Sequence, residues 1–381
     1  MKINKSLVLF GGSFDPPHIG HAEIVQALLA ELSPDVLVVM PTGNPPHKAQ
    51  NLYVPVSDRL KMAELAFGGI DRVQISGYEI QKSEPCFTID TIKWIKKQYP
   101  EHDITIAIGS DEANNFDSWR DFDGILALAK VAVFHRVGEA VNTDERFFHL
   151  CADISAVSST QIRDLFLQGN FKTAQEFITN EVYDYIVQSG LYILLLSEKR
   201  VLHSRNVADM SARLARIHSA DEGLAFKAGL YHDIAKEQDF VEMLQKVEKF
   251  VLTTGKSRGI IHSVEYWGDY FNVLHAFAGA EDVSAKYFHL LDESEDAVNA
   301  IRYHTSGRAN MSLLEKIVFV ADAVEVGRKY YGADEFRQVA LTDIDRAAAL
   351  ILKRTLSRLK KYNIKIFPLT TEAYSFYKNY E

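Results

Sequence analysis

Two rhythms of apolar and polar positions divide this chain. Up to about residue 190, short apolar runs alternate with amphipathic stretches. Continuous runs at 5–10, 36–40, 104–108 and 131–134, with a shorter one at 73–75, predict strands buried on both faces. Between them, Ile24, Val25, Leu28, Leu29 and Leu32 recur at helical spacing over 22–32, and 59–67, 88–99 and 181–188 read the same way. Strands alternating with helices predict an α/β unit, a doubly wound parallel sheet of Rossmann-like type whose ligands lie at the carboxyl ends of the strands. Beyond residue 193 strand-like runs disappear. Helices are expected at 201–217, 224–236, 240–250, 283–291, 297–304, 312–330 and 343–362, which makes this half all-α. The expected division is therefore 1–193 and 194–381, with 194–199 as a short linker after Gly190 ends the preceding helix.

Composition narrows this picture. A chain of 381 residues suits two domains of ordinary size, and 47% hydrophobic with 24% charged residues lets each bury a core. Cys86 and Cys151 alone give no disulfide framework and fit a reducing compartment. The apolar stretch 191–196 is too short to span a bilayer, and the N-terminus lacks a cleavable signal pattern. A cytoplasmic protein with no membrane partner is expected. The net charge of −9 resides in the first half, while the second is balanced. That speaks against nucleic acid as a partner but not against nucleotides.

The first candidate chemistry lies where the first strand meets its helix, in Gly11-Gly12-Ser13-Phe14-Asp15-Pro16-Pro17-His18-Ile19-Gly20-His21. Glycines allow close backbone approach, and a helix N-terminus offers N–H groups to phosphate. Neither a Walker A lysine nor GxGxxG is present, so His18 and His21 are the expected donors to phosphate oxygens. Such donors stabilise a phosphorus transition state without a covalent protein intermediate. Ser158-Ser159-Thr160-Gln161-Ile162-Arg163 starts another helix and gathers hydroxyls, N–H groups and a guanidinium, a cradle for pyrophosphate. Asp111, after a strand, can accept from a ribose hydroxyl, and Trp119 offers a flat face to a pyridine ring.

The glycine–histidine segment resembles the HxGH signature of the nucleotidyltransferase superfamily, in the form typical of bacterial nicotinate-nucleotide adenylyltransferases. The resemblance runs over about residues 6–193. It implies transfer of AMP from ATP, with Mg²⁺, to nicotinate mononucleotide, giving deamido-NAD and pyrophosphate; nicotinamide mononucleotide is the alternative acceptor. It further implies catalytic roles for His18, His21 and Arg163. Nucleotide contacts would come from Gly11, Gly12, Ser13 and Phe14, from Asn44 and Lys48 in Asn44-Pro45-Pro46-His47-Lys48, and from Thr88 on a pocket strand at 87–91. Gly109, Asp111, Trp119, Arg136, Ser159 and Thr160 complete the implied set.

The second half carries His203, His232-Asp233, His275, His304 and Asp322 on helices or at their ends. An adjacent His-Asp pair cannot enter an apolar core cheaply, and a metal resolves the conflict with imidazoles and carboxylates from separate helices. The order H…HD…D resembles the HD-domain phosphohydrolase superfamily. The strings around His275, His304 and Asp322 are similar to a small bacterial HD family that splits diadenosine tetraphosphate into two ADP. That resemblance implies two metal ions. His203, His232, Asp233 and Asp322 would form the common set, Asp233 serving also in catalysis, and His275 and His304 would complete the second position. His262 is the alternative to His275, because Ala276 stands where that family usually has glycine. Imidazole and carboxylate ligands suit first-row transition ions, Fe or Mn, better than Mg²⁺. Lys236, Arg302 and Arg308 are candidates for the phosphates of a dinucleoside polyphosphate. Guanosine alarmones or nucleoside monophosphates are alternative substrates, and a non-catalytic nucleotide sensor is the alternative role.

Overall fold

A computed structural model describes residues 5–43, 54–82, 84–137, 142–254 and 264–381. The chain forms two compact units, Met1–Ile186 and Val187–Glu381. This division precedes the 193/194 boundary expected from the sequence. Tyr231 Oη donates to the Val187 carbonyl and Arg205 to that of Ser189, so the turn through Gly190 is held by the helical unit.

The first unit contains strands β1 (Lys5–Gly12), β2 (Val36–Pro41), β3 (Val73–Ile75), β4 (His102–Gly109), β5 (Ala129–Arg136) and β6 (Phe148–Ile154). They form one sheet in the order β3-β2-β1-β4-β5-β6, with every pairing parallel. Its helices are α1 (Ile19–Leu32), α2 (Val56–Phe67), α3 (Thr88–Gln98), α4 (Ser110–Ala113), α5 (Phe122–Leu128), α6 (Ser159–Leu167) and α7 (Phe171–Gln175); α8 (Asn180–Ser189) leads into the second unit. The continuous apolar runs have a direct explanation. Leu7, Leu9, Val38, Met40, Ile104, Ile106 and Ile108 pack in one core, and Val8, Phe10, Leu37, Val39 and Ala107 in the core across the sheet. The period-two alternation of side chains therefore fills two cores from one apolar run. The strand order reverses at β1 and β4, which places the crevice at their carboxyl ends.

The helix read over 88–99 forms, at the expense of the pocket strand that the resemblance implied, and one strand appears that was not expected. Residues 87–91 do not form a pocket strand: Thr88 is the first residue of α3, with Phe87 extended before it. The edge strand β6 goes unpredicted because His149, Cys151 and Asp153 interrupt its apolar positions.

The second unit is helical throughout its described residues: α9 (Glu198–Ile217), α10 (Glu222–Tyr231), α11 (Phe240–Thr254), α12 (Val264–Asp269), α13 (Phe271–Asp282), α14 (Glu295–Tyr303), α15 (Leu313–Val324), α16 (Ala333–Ala340), α17 (Ile344–Lys361) and α18 (Pro368–Tyr377). The helix expected over 224–236 stops at Tyr231, leaving His232 and Asp233 in the turn beyond it. The helix expected over 312–330 ends at Val324, where Glu325 turns extended. The segment expected as a helix at 283–291 is a π-turn, Val283–Tyr287, followed by a 3₁₀ turn. Among the described residues no helix is long and apolar enough to cross a membrane.

Candidate functional sites

At the first site β1 runs out at Gly12, and Phe14 adopts a left-handed conformation (φ 48°) that turns the chain toward α1. Phe14 is buried in the core with its ring 5.0 Å from that of His21. Its side chain therefore supports the histidine from beneath, contrary to a direct nucleotide contact. A Cβ on Gly12 would sit 3.0 Å from the Phe14 ring, whereas one on Gly11 would meet nothing within 4 Å. The glycine turn is thus closed below and open above. Buried Arg59 ties it to the neighbouring strand end, donating to the Ser13 carbonyl at 2.8 Å and to the Gly43 carbonyl at 3.3 Å.

His18 caps α1 and its ring lies 3.8 Å from that of His21. The His18 backbone N–H donates to His21 Nδ1 at 3.2 Å, so a neutral His21 carries its proton on Nε2. His18 Nδ1 is buried and has no hydrogen-bond partner. Burial, with Arg136 adding to it, lowers the His18 pKa to about 3. Burial, His18 and Arg136 hold His21 well below the ordinary imidazole range. Both rings are therefore neutral at pH 7, each with one N–H to offer.

The start of α6 is bolted to this turn. Arg163 donates to the Asp15 carbonyl at 2.7 Å and to Thr160 Oγ1 at 2.9 Å, and Ser159 Oγ donates to the Pro16 carbonyl at 2.9 Å. Ser158 accepts from the Gln161 N–H as the helix cap. The structure thus unites His18, His21, Arg136, Ser159, Thr160 and Arg163. Gly109 ends β4, and a Cβ there would lie 2.6 Å from Asp111 Oδ1, which folds back over it. Asp111 is exposed, and Trp119 is half-buried against Phe116 at 5.3 Å. Asn44 and Lys48 lie outside the described residues. Arg59 went unnoticed in the sequence because an arginine on an amphipathic helix normally reads as solvent-facing.

At the second site five helices converge: α9, α13 and α15 carry His203, His275 and Asp322, and His232, Asp233 and His304 follow the ends of α10 and α14. Gly229 lets α10 press against α9, since a Cβ there would sit 2.7 Å from Ser211 Oγ and 3.0 Å from the Val207 carbonyl. Asp221, Ser294 and Ser312 cap α10, α14 and α15 through their side chains. The result brings together His203, His232, Asp233, His275, His304 and Asp322. Ligand atoms of His203, His232 and Asp322 lie within 4.8 Å of one another, as do those of His232, Asp233 and His304. His275 Nε2 and His304 Nε2 stand 3.1 Å and 3.4 Å from Asp233 Oδ1. His262 lies outside the described residues.

The donor chemistry fits divalent ions. His232 Nδ1 lies 2.6 Å from the Gly229 carbonyl and His304 Nδ1 2.7 Å from that of Ile301, which turns each Nε2 inward. His232 Nε2 is buried with no hydrogen-bond partner, an orphan that a cation would satisfy. Burial lowers His232 to about 4 and His275 to about 3, leaving both neutral and able to ligate. Burial opposes the Asp233 anion, yet His232, His275 and His304 hold its pKa far below the usual range; His203 and Arg328 do the same against burial for Asp322.

The structure separates the basic residues by their partners. Arg302 is committed to Glu281 at 2.9 Å and Asn299 at 2.8 Å, and Arg308 to Glu315 at 2.7 Å. Among the described residues, the cations reaching the cluster are Lys236, 3.6 Å from Asp233, Arg200, 3.4 Å from Asp233, and Arg328, bonded to Asp322. Glu325 and Thr305, which touch the cluster's imidazoles, were also missed; Thr305 follows His304 directly in the chain, whereas only packing brings Glu325 to His203.

These two sites define a nucleotidyltransferase-type α/β unit followed by a metal-binding helical hydrolase unit. Family models agree: residues 9–165 match the cytidylyltransferase-like family and residues 200–327 the HD domain. An HD domain implies divalent-metal binding. A relative from Chlorobium luteolum, named "Probable nicotinate-nucleotide adenylyltransferase", is 37% identical over 49% of this chain and 97% of its own length. Over its N-terminal half the chain belongs to the nicotinate-nucleotide adenylyltransferase family. A Mycoplasma genitalium protein named "Probable nicotinate-nucleotide adenylyltransferase/Ap4A hydrolase" is 25% identical over 94% of this chain and 100% of its own. A solved Clostridium acetobutylicum structure described as a "predicted HD superfamily hydrolase involved in NAD metabolism" is 28% identical over 59% of this chain and 99% of that one, with a TM-score of 0.42.

Proposed function

We propose that the first unit transfers the adenylyl group of Mg²⁺-bound ATP to nicotinate mononucleotide, and that the second splits diadenosine tetraphosphate into two ADP at a two-metal site. The observation that carries the first activity is the paired neutral imidazoles at the sheet crevice, with Arg163 anchored beside them. The mononucleotide's phosphate oxygen attacks the α-phosphorus of ATP in line, and pyrophosphate leaves. His18 and His21 donate to the oxygens that gain charge, while Ser159, Thr160 and Arg163 receive the departing phosphates and Arg136 lies on the adenosine side. Asp111 and Trp119 are assigned to the ribose and the pyridine ring. Thr88, at the N-terminus of α3, and the backbone of residues 11–13 are further contacts.

The second activity is supported by the donor set of His203, His232, Asp233, His304 and Asp322, with His275 against Asp233, and by the Mycoplasma relative's name. His203, His232, Asp233 and Asp322 would hold one ion, and His275, His304 and Asp233 the other. Fe or Mn bound there would supply positive charge to the polyphosphate and activate water. Lys236, Arg200 and Arg328 bring further positive charge to the substrate's phosphates.

Product analysis tests both. The purified chain receives ATP with nicotinate mononucleotide in one reaction and diadenosine tetraphosphate with Mn²⁺ in the other. Dinucleotide should be lost only in His18→Ala, and ADP only in Asp233→Ala. Loss of both products in either variant would overturn two independent sites, and no ADP from the unmodified chain would overturn the second assignment.

A further inference from the structure

His203 differs from the other imidazoles of the second site in what holds its outer nitrogen. His232 and His304 set their Nδ1 atoms against main-chain carbonyls within their own helical turns. His203 Nδ1 instead meets a carboxylate, Glu325 Oε1, at 3.2 Å, while its Nε2 faces Asp322 Oδ1 at 3.1 Å. Glu325 is 3% exposed, which is costly for a carboxylate unless several donors compensate it. The compensation is visible: its other oxygen accepts from the Gly327 N–H, and Arg328 Nε stands 3.7 Å from Oε1. A Cβ on Gly327 would lie 2.9 Å and 3.0 Å from the two carboxylate oxygens, so any side chain there would displace the carboxylate.

We infer that Glu325 is a positioning residue of the second site: it fixes His203 with its proton on Nδ1, so that Nε2 is presented to a divalent cation beside Asp322. Glu325 is not itself a ligand, since its oxygen lies on the far nitrogen of the ring. A carboxylate behind a ligating imidazole fixes the tautomer and raises its donor strength. The break in α15 at Val324 is what aims this side chain back at α9. The inference rests on the metal-site reading and adds to it a residue outside the ligand set.

The test uses the full chain stripped of metal and titrated with Mn²⁺, free ion being read by electron paramagnetic resonance. Glu325→Ala should weaken Mn²⁺ binding by about 10- to 100-fold. Glu325→Gln retains an acceptor but loses the charge, and should fall between the two. A second readout needs no metal: nitrogen chemical shifts of His203 should show a protonated Nδ1 in the unmodified chain, where Nε2 also faces Asp322, and the loss of that Nδ1 proton in Glu325→Ala, where Asp322 alone keeps the proton on Nε2. Retained adenylyl transfer and helical circular dichroism show that the variant is folded. Mn²⁺ binding and a tautomer unchanged in Glu325→Ala would overturn the role of Glu325 alone. An unmodified chain that takes up no Mn²⁺ would overturn the metal site and this inference with it.

Discussion

Protonation of His18 is the most direct test of the first site's electrostatics. The folded imidazole is buried beside Arg136 and has a pKa of about 3, while an unfolded one has the ordinary value of 6.5. Between those values the unfolded chain binds more protons, so stability rises with pH across that window. The contribution is complete above pH 6.5 and is lost as pH falls toward 3. At pH 5 the unfolded imidazole is nearly all protonated and the folded one nearly all neutral, a linked loss of about 2 kcal/mol. His21, lowered for the same reasons, adds a loss of the same sign. Carbon-detected titration of the ligand-free protein, with His18→Gln for assignment, should find no His18 transition between pH 5 and 8. Hydrogen exchange of the β1 amides, corrected for intrinsic rates, should show unit 1 losing more stability from pH 8 to pH 5 in the unmodified chain than in His18→Gln, by about 2 kcal/mol. A His18 transition near 6.5, or equal losses in both proteins, would refute burial as the state of the free site.

Arg163→Lys removes the fork that holds the Asp15 carbonyl and Thr160; adenylyl transfer should drop by about 10²-fold in kcat, read by pyrophosphate release, with hydrolysis unaffected. Gly20→Ala places a Cβ 3.2 Å from the His18 ring and 3.3 Å from the Ser155 carbonyl, so the ring must shift; a similar loss of about 10²-fold is expected with little change in melting temperature. Arg302→Met should cost about 3 kcal/mol by urea denaturation, because it leaves Glu281 half-buried without its guanidinium, while KM for the polyphosphate stays unchanged. A raised KM there would return Arg302 to the substrate.

The sheet of the first unit and the helical nature of the second were legible from periodicity alone, because burial on both faces leaves uninterrupted apolar runs and burial on one face leaves a helical stripe. The glycine–histidine segment was equally legible: His18, His21 and Gly20 are local in sequence, and their spacing sets their geometry. The His and Asp residues of the second site could be named, since few other roles suit them on apolar helices. What the sequence left open is what packing decides. Arg302 and Arg308 were indistinguishable from Arg200 and Arg328 until helix ends placed the first pair against Glu281 and Glu315 and the second against Asp233 and Asp322. Phe14 read as a contact and proved to be core, because the left-handed turn after β1 swings its ring under His21. Arg59 and Glu325 lie far along the chain from Ser13 and His203, and only close-packed helices and strand ends bring those groups together. Local pattern determined which elements form and which residues carry the chemistry; long-range packing decided which charges face the sites and which support them from behind.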